Sequence, residues 1–399
     1  MGAPTRRSVV AGAVFGAALA VLGPPLRHTL GVALSARTER RLNLLGRRSP
    51  YFVSPAASDL HERLTVVDLH ADSLLWGRDL LVRADRGHVD LPRQIEGNVA
   101  LQVFAVATKV PRHLNIERND DRTDDIALVA LVQGWPAATW RSLMARAEYQ
   151  ARRLTDMAAR SGGSFVVVRT TADLEALLAR RAAGEAVVGG LLAIEGGQAI
   201  DGHPANVDRL FDAGYRMVGL AHFFDNRLAG SAHGVQKGGL TDIGREVIRR
   251  LEARSMLVDL AHASSATIDD ALAVAKRPLL VSHTGVRGTA DNVRNLSDDQ
   301  LRAVAATGGI VGIGFWPTAV GGEEAASIAR AIRHAVAVIG ADHVGIGSDF
   351  DGAVPVPFDA SGMAVLTAAL LAEGLDEAAI AKVMGGSAAR LIARSLLGA

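Results

Sequence analysis

The sequence predicts a single (β/α)₈ barrel of the TIM type, preceded by a short apolar N-terminal segment. Three observations predict it. Short apolar, strand-like runs recur from residue 64 onward, and amphipathic stretches of helical period separate most of them. Residues able to bind metal fall at the C-terminal ends of these runs. Continuous apolar strands alternating with helices imply a parallel sheet covered on both faces, and eight such strands close into a barrel.

The chain has 399 residues, 49% of them hydrophobic, enough for a large core. Its 43 Lys plus Arg against 42 Asp plus Glu leave a formal net charge of +1, without the basic excess of a nucleic-acid binder. There is no cysteine, so disulfides, thiolate zinc sites and thiol nucleophiles are excluded. Any metal must be held by His, Asp and Glu.

In chain order, Arg6 and Arg7 precede an uncharged apolar run, residues 8–23, followed by Pro24 and Pro25. This is the layout of an export signal; the run falls slightly short of the ~18 residues of a confident membrane span. Ala18-Leu19-Ala20 offers a cleavage site. Residues 1–25 are therefore read as an export signal or an uncleaved membrane anchor. The protein is expected to be exported, secreted or anchored by its N-terminus. Residues 26–60, basic and rich in Leu and Arg, read as a linker or stalk. The barrel should occupy 61–399.

Its eight strands are expected at 64–69, 99–107, 187–194, 217–221, 256–260, 278–282, 310–315 and 344–347. A ninth candidate, 165–168, must be an extra or peripheral strand. Helical patterns lie at 241–254, 264–275, 297–306 and 323–339, and two last helices, 376–384 and 387–397, close the domain. Residues 109–140 form a partly helical loop. An open, doubly wound sheet is the alternative, but no Gly-x-Gly-x-x-Gly turn follows the first strand.

His70 and Asp72 end the first strand, and positions i and i+2 of an extended segment share a face. Glu195 ends the third run, His222 the fourth, His262 the fifth, His283 the sixth and Asp349 the eighth. In a parallel barrel these ends meet on one face, where such enzymes place their active sites. Histidines elsewhere, such as His61, His113 and His334, are read as solvated, and His343 belongs to the opposite face. A buried carboxylate cluster needs cations to neutralise it. Nitrogen and oxygen ligands without sulfur suit zinc, with manganese or cobalt as substitutes. Asp68 and Asp259, inside their strands, either orient ligand imidazoles or are hydrogen-bonded core acids.

The chain resembles the membrane (renal) dipeptidase family, zinc dipeptidases of the amidohydrolase-like barrels, from about Leu64 to Leu397. The resemblance rests on Asp68-Leu-His-Ala-Asp72, Asp90-Leu-Pro, Ile194-Glu-Gly-Gly197, Leu220-Ala-His222 and Gly239-Leu-Thr-Asp-Ile-Gly244. It continues through Val258-Asp-Leu-Ala-His-Ala-Ser264, Ser282-His283, Arg294-Asn-Leu296 and Gly345-Ile-Gly-Ser-Asp-Phe-Asp-Gly352. It implies two zinc ions, one on His70 and Asp72, the other on His262 and His283, with Glu195 bridging. His222 would contact the substrate or its oxyanion, Arg294 the substrate carboxylate, and Asp349 would transfer protons. The implied reaction is hydrolysis of dipeptides by a metal-bridging hydroxide; the resemblance also implies a homodimer.

Two departures stand out. Ala71 replaces the family's usual Asn between the ligands, and the stretch from His283 to Arg294 is longer than usual, so Arg287 competes with Arg294. The alternative on the same barrel is a lactonase, a β-lactamase-like enzyme or another amidohydrolase. No Gly-x-Ser-x-Gly elbow offers a serine nucleophile. A scaffold that has lost catalysis is disfavoured by the complete set of site residues.

Overall fold

The computed structural model describes residues 24–396, and the apolar run 8–23 lies outside them. Nine strands form one sheet: β1 (Val66–Ala71), β2 (Val99–Ala107), β3 (Phe165–Val167), β4 (Val188–Glu195), β5 (Tyr215–Gly219), β6 (Leu257–Asp259), β7 (Leu280–Thr284), β8 (Ile310–Ile313) and β9 (Val344–Ile346). Every named pairing is parallel. β1 pairs with β2 and β9, and β2 pairs with β4, which closes eight strands into a barrel. β3 is the extra strand, paired with the first residues of β4 from Phe165–Val188 to Val167–Gly190.

Alternation along the strands separates two buried layers. Val67 and Leu69, Leu101 and Val103, and Leu191 and Ala193 share one cluster with Met217, Leu280 and Ile310, the lumen of the barrel. Leu391 and Ile392 of the helix Ser387–Ser395 belong to it and plug the lower end. Leu192, Ile194, Val218, Val281 and Val311 instead pack outward under the helices. Glu195 continues the inward series 191, 193, 195, so a carboxylate enters the top of the lumen by the period-2 rule alone.

Several helices start at side-chain caps. Thr241, Ser264 and Ser297 accept from the backbone of Gly244, Thr267 and Gln300 respectively, and Ser297 with Gln300 forms a capping box. The motif acid Asp90 is likewise a cap, accepting from Arg93 N at 3.0 Å. The 109–140 loop contains the helix Asp125–Val132, as expected of a partly helical segment.

Two readings differ from the structure. His61 is buried rather than solvated: Nδ1 bonds the Thr367 hydroxyl at 2.8 Å and Nε2 the Gly97 carbonyl at 3.1 Å. Within the segment read as a stalk, Ala36, Glu39 and Asn43 are buried against the barrel, so the polypeptide from residue 36 packs on the domain. Among the described residues no helix is long and apolar enough to cross a membrane.

Candidate metal centre and active site

The barrel mouth gathers the predicted residues around Glu195. Its Oε1 lies 3.0 Å from His262 Nε2, 3.4 Å from His283 Nε2 and 3.5 Å from His70 Nε2, while Oε2 lies 3.3 Å from His222 Nε2. Asp72 Oδ2 is 3.5 Å from His70 Nε2. Asp349 can share a ligand cluster with His70 and Asp72. Two further clusters, His70–Glu195–His283 and Glu195–His222–His262, meet at Glu195. All these residues are buried.

Backbone irregularity aims several of them. The β1–β2 register shifts between Asp68 and Ala71, and the β7–β8 register between Val281 and Thr284. His70 and His283 sit at these breaks, where a bulge re-aims a side chain. His262 and Asp349 occupy the left-handed region at φ 62° and 61°, which costs a non-glycine residue about 1–3 kcal/mol and persists only where its surroundings enforce it. Gly352 makes room for the Asp349 carboxylate, with which a Cβ at that position would collide.

A hydrogen-bond chain sets the imidazole tautomers. Ser282 Oγ donates to Asp259 Oδ2 at 2.6 Å, spending its only proton. It must therefore accept from both His283 Nδ1 at 2.9 Å and His70 Nδ1 at 3.2 Å. Both rings then turn Nε2 toward Glu195, the orientation a metal requires. Asp259 thus acts on the imidazoles through Ser282. Asp68 instead holds Ser348 Oγ at 2.6 Å and Gln102 Nε2 at 2.9 Å, tying the loop after β9, and β2, to β1.

The donor set fits cations. His262 Nε2 and His283 Nε2 face each other at 3.0 Å, and lone pairs so placed repel unless a proton or metal lies among them. His70 Nε2, Asp72 Oδ1 and His262 Nδ1 are buried without a hydrogen-bond partner. Burial, Asp72 and Asp349 push Glu195 well above the ordinary carboxylate range, against the pull of His70. Burial likewise raises Asp349, to about 8. Burial opposes charge on His70, but Glu195, Asp72 and Asp349 outweigh it and lift the ring to about 10. Burial keeps His222, His262 and His283 well below their usual value, in the neutral form that binds metal.

Arg294 reaches the site and Arg287 does not. Arg294 is buried, donates through Nη2 to the His283 carbonyl at 2.6 Å, and lies over the Trp316 ring at 5.7 Å. Its Nε is without a partner. Desolvation lowers it to about 10, so it stays cationic at neutral pH. Arg287 is 41% exposed and bonds the Asn295 carbonyl.

One residue escaped sequence reasoning. His233 is buried beside His262, ring centroids 5.1 Å apart, and its Nδ1 bonds the Ile116 carbonyl at 2.6 Å. Burial, reinforced by Arg294, lowers it to about 4. It sits in a loop rather than at a strand end, so the pattern that found the others could not find it. The bond to Ile116 shows that the loops after β2 and β5 fold together over the mouth.

Comparison with known proteins shows similarity to dipeptidases and metallo peptidases. The chain is 29% identical over 325 residues to dipeptidase verJ of Clonostachys rogersoniana, covering 77% of this chain and 82% of that protein. The crystal structure of dipeptidase AC, a metallo peptidase, superposes with a TM-score of 0.69 at 27% identity, covering 83% of this chain and 99% of that one. A metallo peptidase from Rhodobacter sphaeroides, liganded with a phosphinate mimic of the dipeptide L-Ala-D-Ala, gives 0.69 at 25% identity over the same shares. Residues 55–395 match the family described as membrane dipeptidase (peptidase family M19), and the chain belongs to that metallo-dipeptidase family.

Proposed function

We propose that the chain is a binuclear zinc dipeptidase. His70 and Asp72 would hold one ion, His262 and His283 the other, and Glu195 both. The observation that carries this reading is the convergence of three imidazole Nε2 atoms on Glu195 Oε1 within 3.5 Å, with His70 Nε2 lacking any hydrogen-bond partner. Bound zinc would polarise the scissile carbonyl and supply an activated water near neutral pH.

The chain's own groups complete the chemistry. Asp349, whose carboxylate lies with His70 and Asp72, would take a proton from the attacking water and return it to the leaving amine. His222, whose Nε2 lies 3.3 Å from Glu195 Oε2, would contact the carbonyl oxygen as charge develops. Arg294, a desolvated guanidinium with a free Nε, suits a substrate carboxylate and would act as a ruler excluding longer peptides. The dipeptide mimic bound by the Rhodobacter sphaeroides relative supports that substrate size. We read residues 1–25 as an export signal or anchor, which cell fractionation would test.

The deciding experiment is a substrate panel: dipeptides with L- or D-residues at the C-terminal position, their C-terminal amides, a tripeptide, a lactone and a β-lactam. The reading predicts chelator-sensitive cleavage of dipeptides, with the amides at least about tenfold poorer for loss of the charge-assisted bond. Inert dipeptides alongside turnover of a lactone or lactam would transfer the site to that other chemistry.

A further inference from the structure

The family match begins at residue 55, yet the preceding residues reach the loop that carries Asp349. The helix Pro24–Leu42 buries Glu39 completely. One Glu39 oxygen accepts from Arg78 Nε, and the other from Arg86 Nε at 2.7 Å. Arg78 passes the contact on, donating through Nη2 to Asp351 Oδ2 at 2.5 Å. Asp351 also accepts from Ser73 Oγ and from the His88 backbone, each at 2.6 Å. Just after the helix, Asn43 Oδ1 accepts from Ala353 N at 2.9 Å. The next residues pair with the same loop: Val356 N donates to Leu44 O, Gly46 N to Val356 O, and Arg47 N to Pro357 O.

That loop is conformationally demanding. Asp349, Asp351 and Ala353 all have φ between 61° and 63°, and none is glycine. Such a conformation persists only where the surroundings over-determine it. Two of the three, Asp351 and Ala353, are held by groups that lead back to residues 39 and 43. The third is Asp349, whose carboxylate faces His70 and Asp72.

We propose that residues 36–47 are a positioning clamp for the catalytic loop, in which Glu39, through Arg78 and Asp351, and Asn43, through Ala353, keep Asp349 aimed into the barrel mouth. The inference rests on the reading of Asp349 as the proton-transfer group. Glu39 touches no substrate; it acts through the turn.

The test uses the full chain loaded with zinc, comparing wild type, Glu39→Gln, Asn43→Ala and, as control, Arg40→Ala, whose residue makes only an exposed pair with Asp85. Expected for Glu39→Gln is a fall in kcat of about tenfold or more with KM within about twofold. Amide exchange in residues 349–357 should accelerate, and metal content should not change. Asn43→Ala should do the same to a smaller degree, and Arg40→Ala should do neither. Should Glu39→Gln fail to fold, Asn43→Ala carries the decision. Wild-type kcat with unchanged exchange at 349–357 would overturn the clamp, as would a loss matching only the unfolded fraction. A wild-type chain inert toward every dipeptide would refute the dipeptidase reading instead, leaving the exchange readout to judge the clamp.

Discussion

At the scale of single residues, the site is a set of buried groups arranged for charge they do not themselves supply. Glu195 and Asp349 are pushed upward by burial and by nearby carboxylates, Asp72 among them in both cases, and His70 is raised to about 10 by the carboxylates around it. Protons therefore stand where cations would. Zinc loading should displace them, and calorimetric titration in buffers of different ionisation enthalpy should show net proton release at pH 7. Binding without proton release would contradict the arrangement. For Arg294, substitution by Lys keeps the charge but loses the planar fork. The expected loss is about 2 kcal/mol, roughly thirtyfold in kcat/KM, expressed mainly in KM for a dipeptide. An unchanged KM would remove Arg294 from substrate binding. These residues were legible because strand ends in a barrel are few and converge. His233 was not, since its place depends on how one loop meets another.

At the scale of elements, the loop from Gly285 to Leu296 decides whether Arg294 points inward. Its hub is Asn295, nearly fully buried, which donates to Ala290 O at 2.7 Å and Ala319 O at 2.9 Å and accepts from Gly285 N at 3.0 Å. Asn295→Ala removes the side-chain partner of all three backbone groups. It should cost about 1–3 kcal/mol in stability and raise KM as Arg294 loosens, readable in a denaturation curve beside dipeptide kinetics. Unaltered stability would show that water satisfies those groups. The longer spacing that made Arg287 a competitor is explained by this fold-back, in which Val286 bridges Leu296 and leaves Arg287 partly exposed. Hydrophobic alternation located β2 to the residue and β4 to within one. It could not reveal the register breaks at His70 and His283, because a bulge leaves no mark in residue type.

For the whole molecule, closure of eight parallel strands turns scattered sequence positions into one mouth. The apolar runs foretold the closure and the peripheral β3. What they did not foretell is how residues before the barrel attach, because an arm such as 36–47 has no periodic signature and its buried acid, Glu39, reads as an ordinary helix surface residue. His61 fastens the helix Pro55–Glu62 to Gly97 and to Thr367, the latter from near the far end of the chain. Burial depresses its pKa below 6.5, so protons bind the unfolded chain more readily. Its contribution to stability is complete above about pH 6.5 and is lost as the pH falls from there toward the folded value. His61→Gln should flatten the decline in Tm between about pH 7 and 5 relative to wild type. An identical slope would place the acid sensitivity elsewhere.

The central claim, that Glu195 is shared between two metal positions, is tested most directly by anomalous diffraction at the zinc edge from crystals of the zinc-loaded protein. The account predicts two peaks in the barrel mouth, one beside His70 and Asp72 and one beside His262 and His283, each within bonding distance of Glu195. A single peak that leaves either pair empty, or zinc bound only outside the mouth, would contradict it.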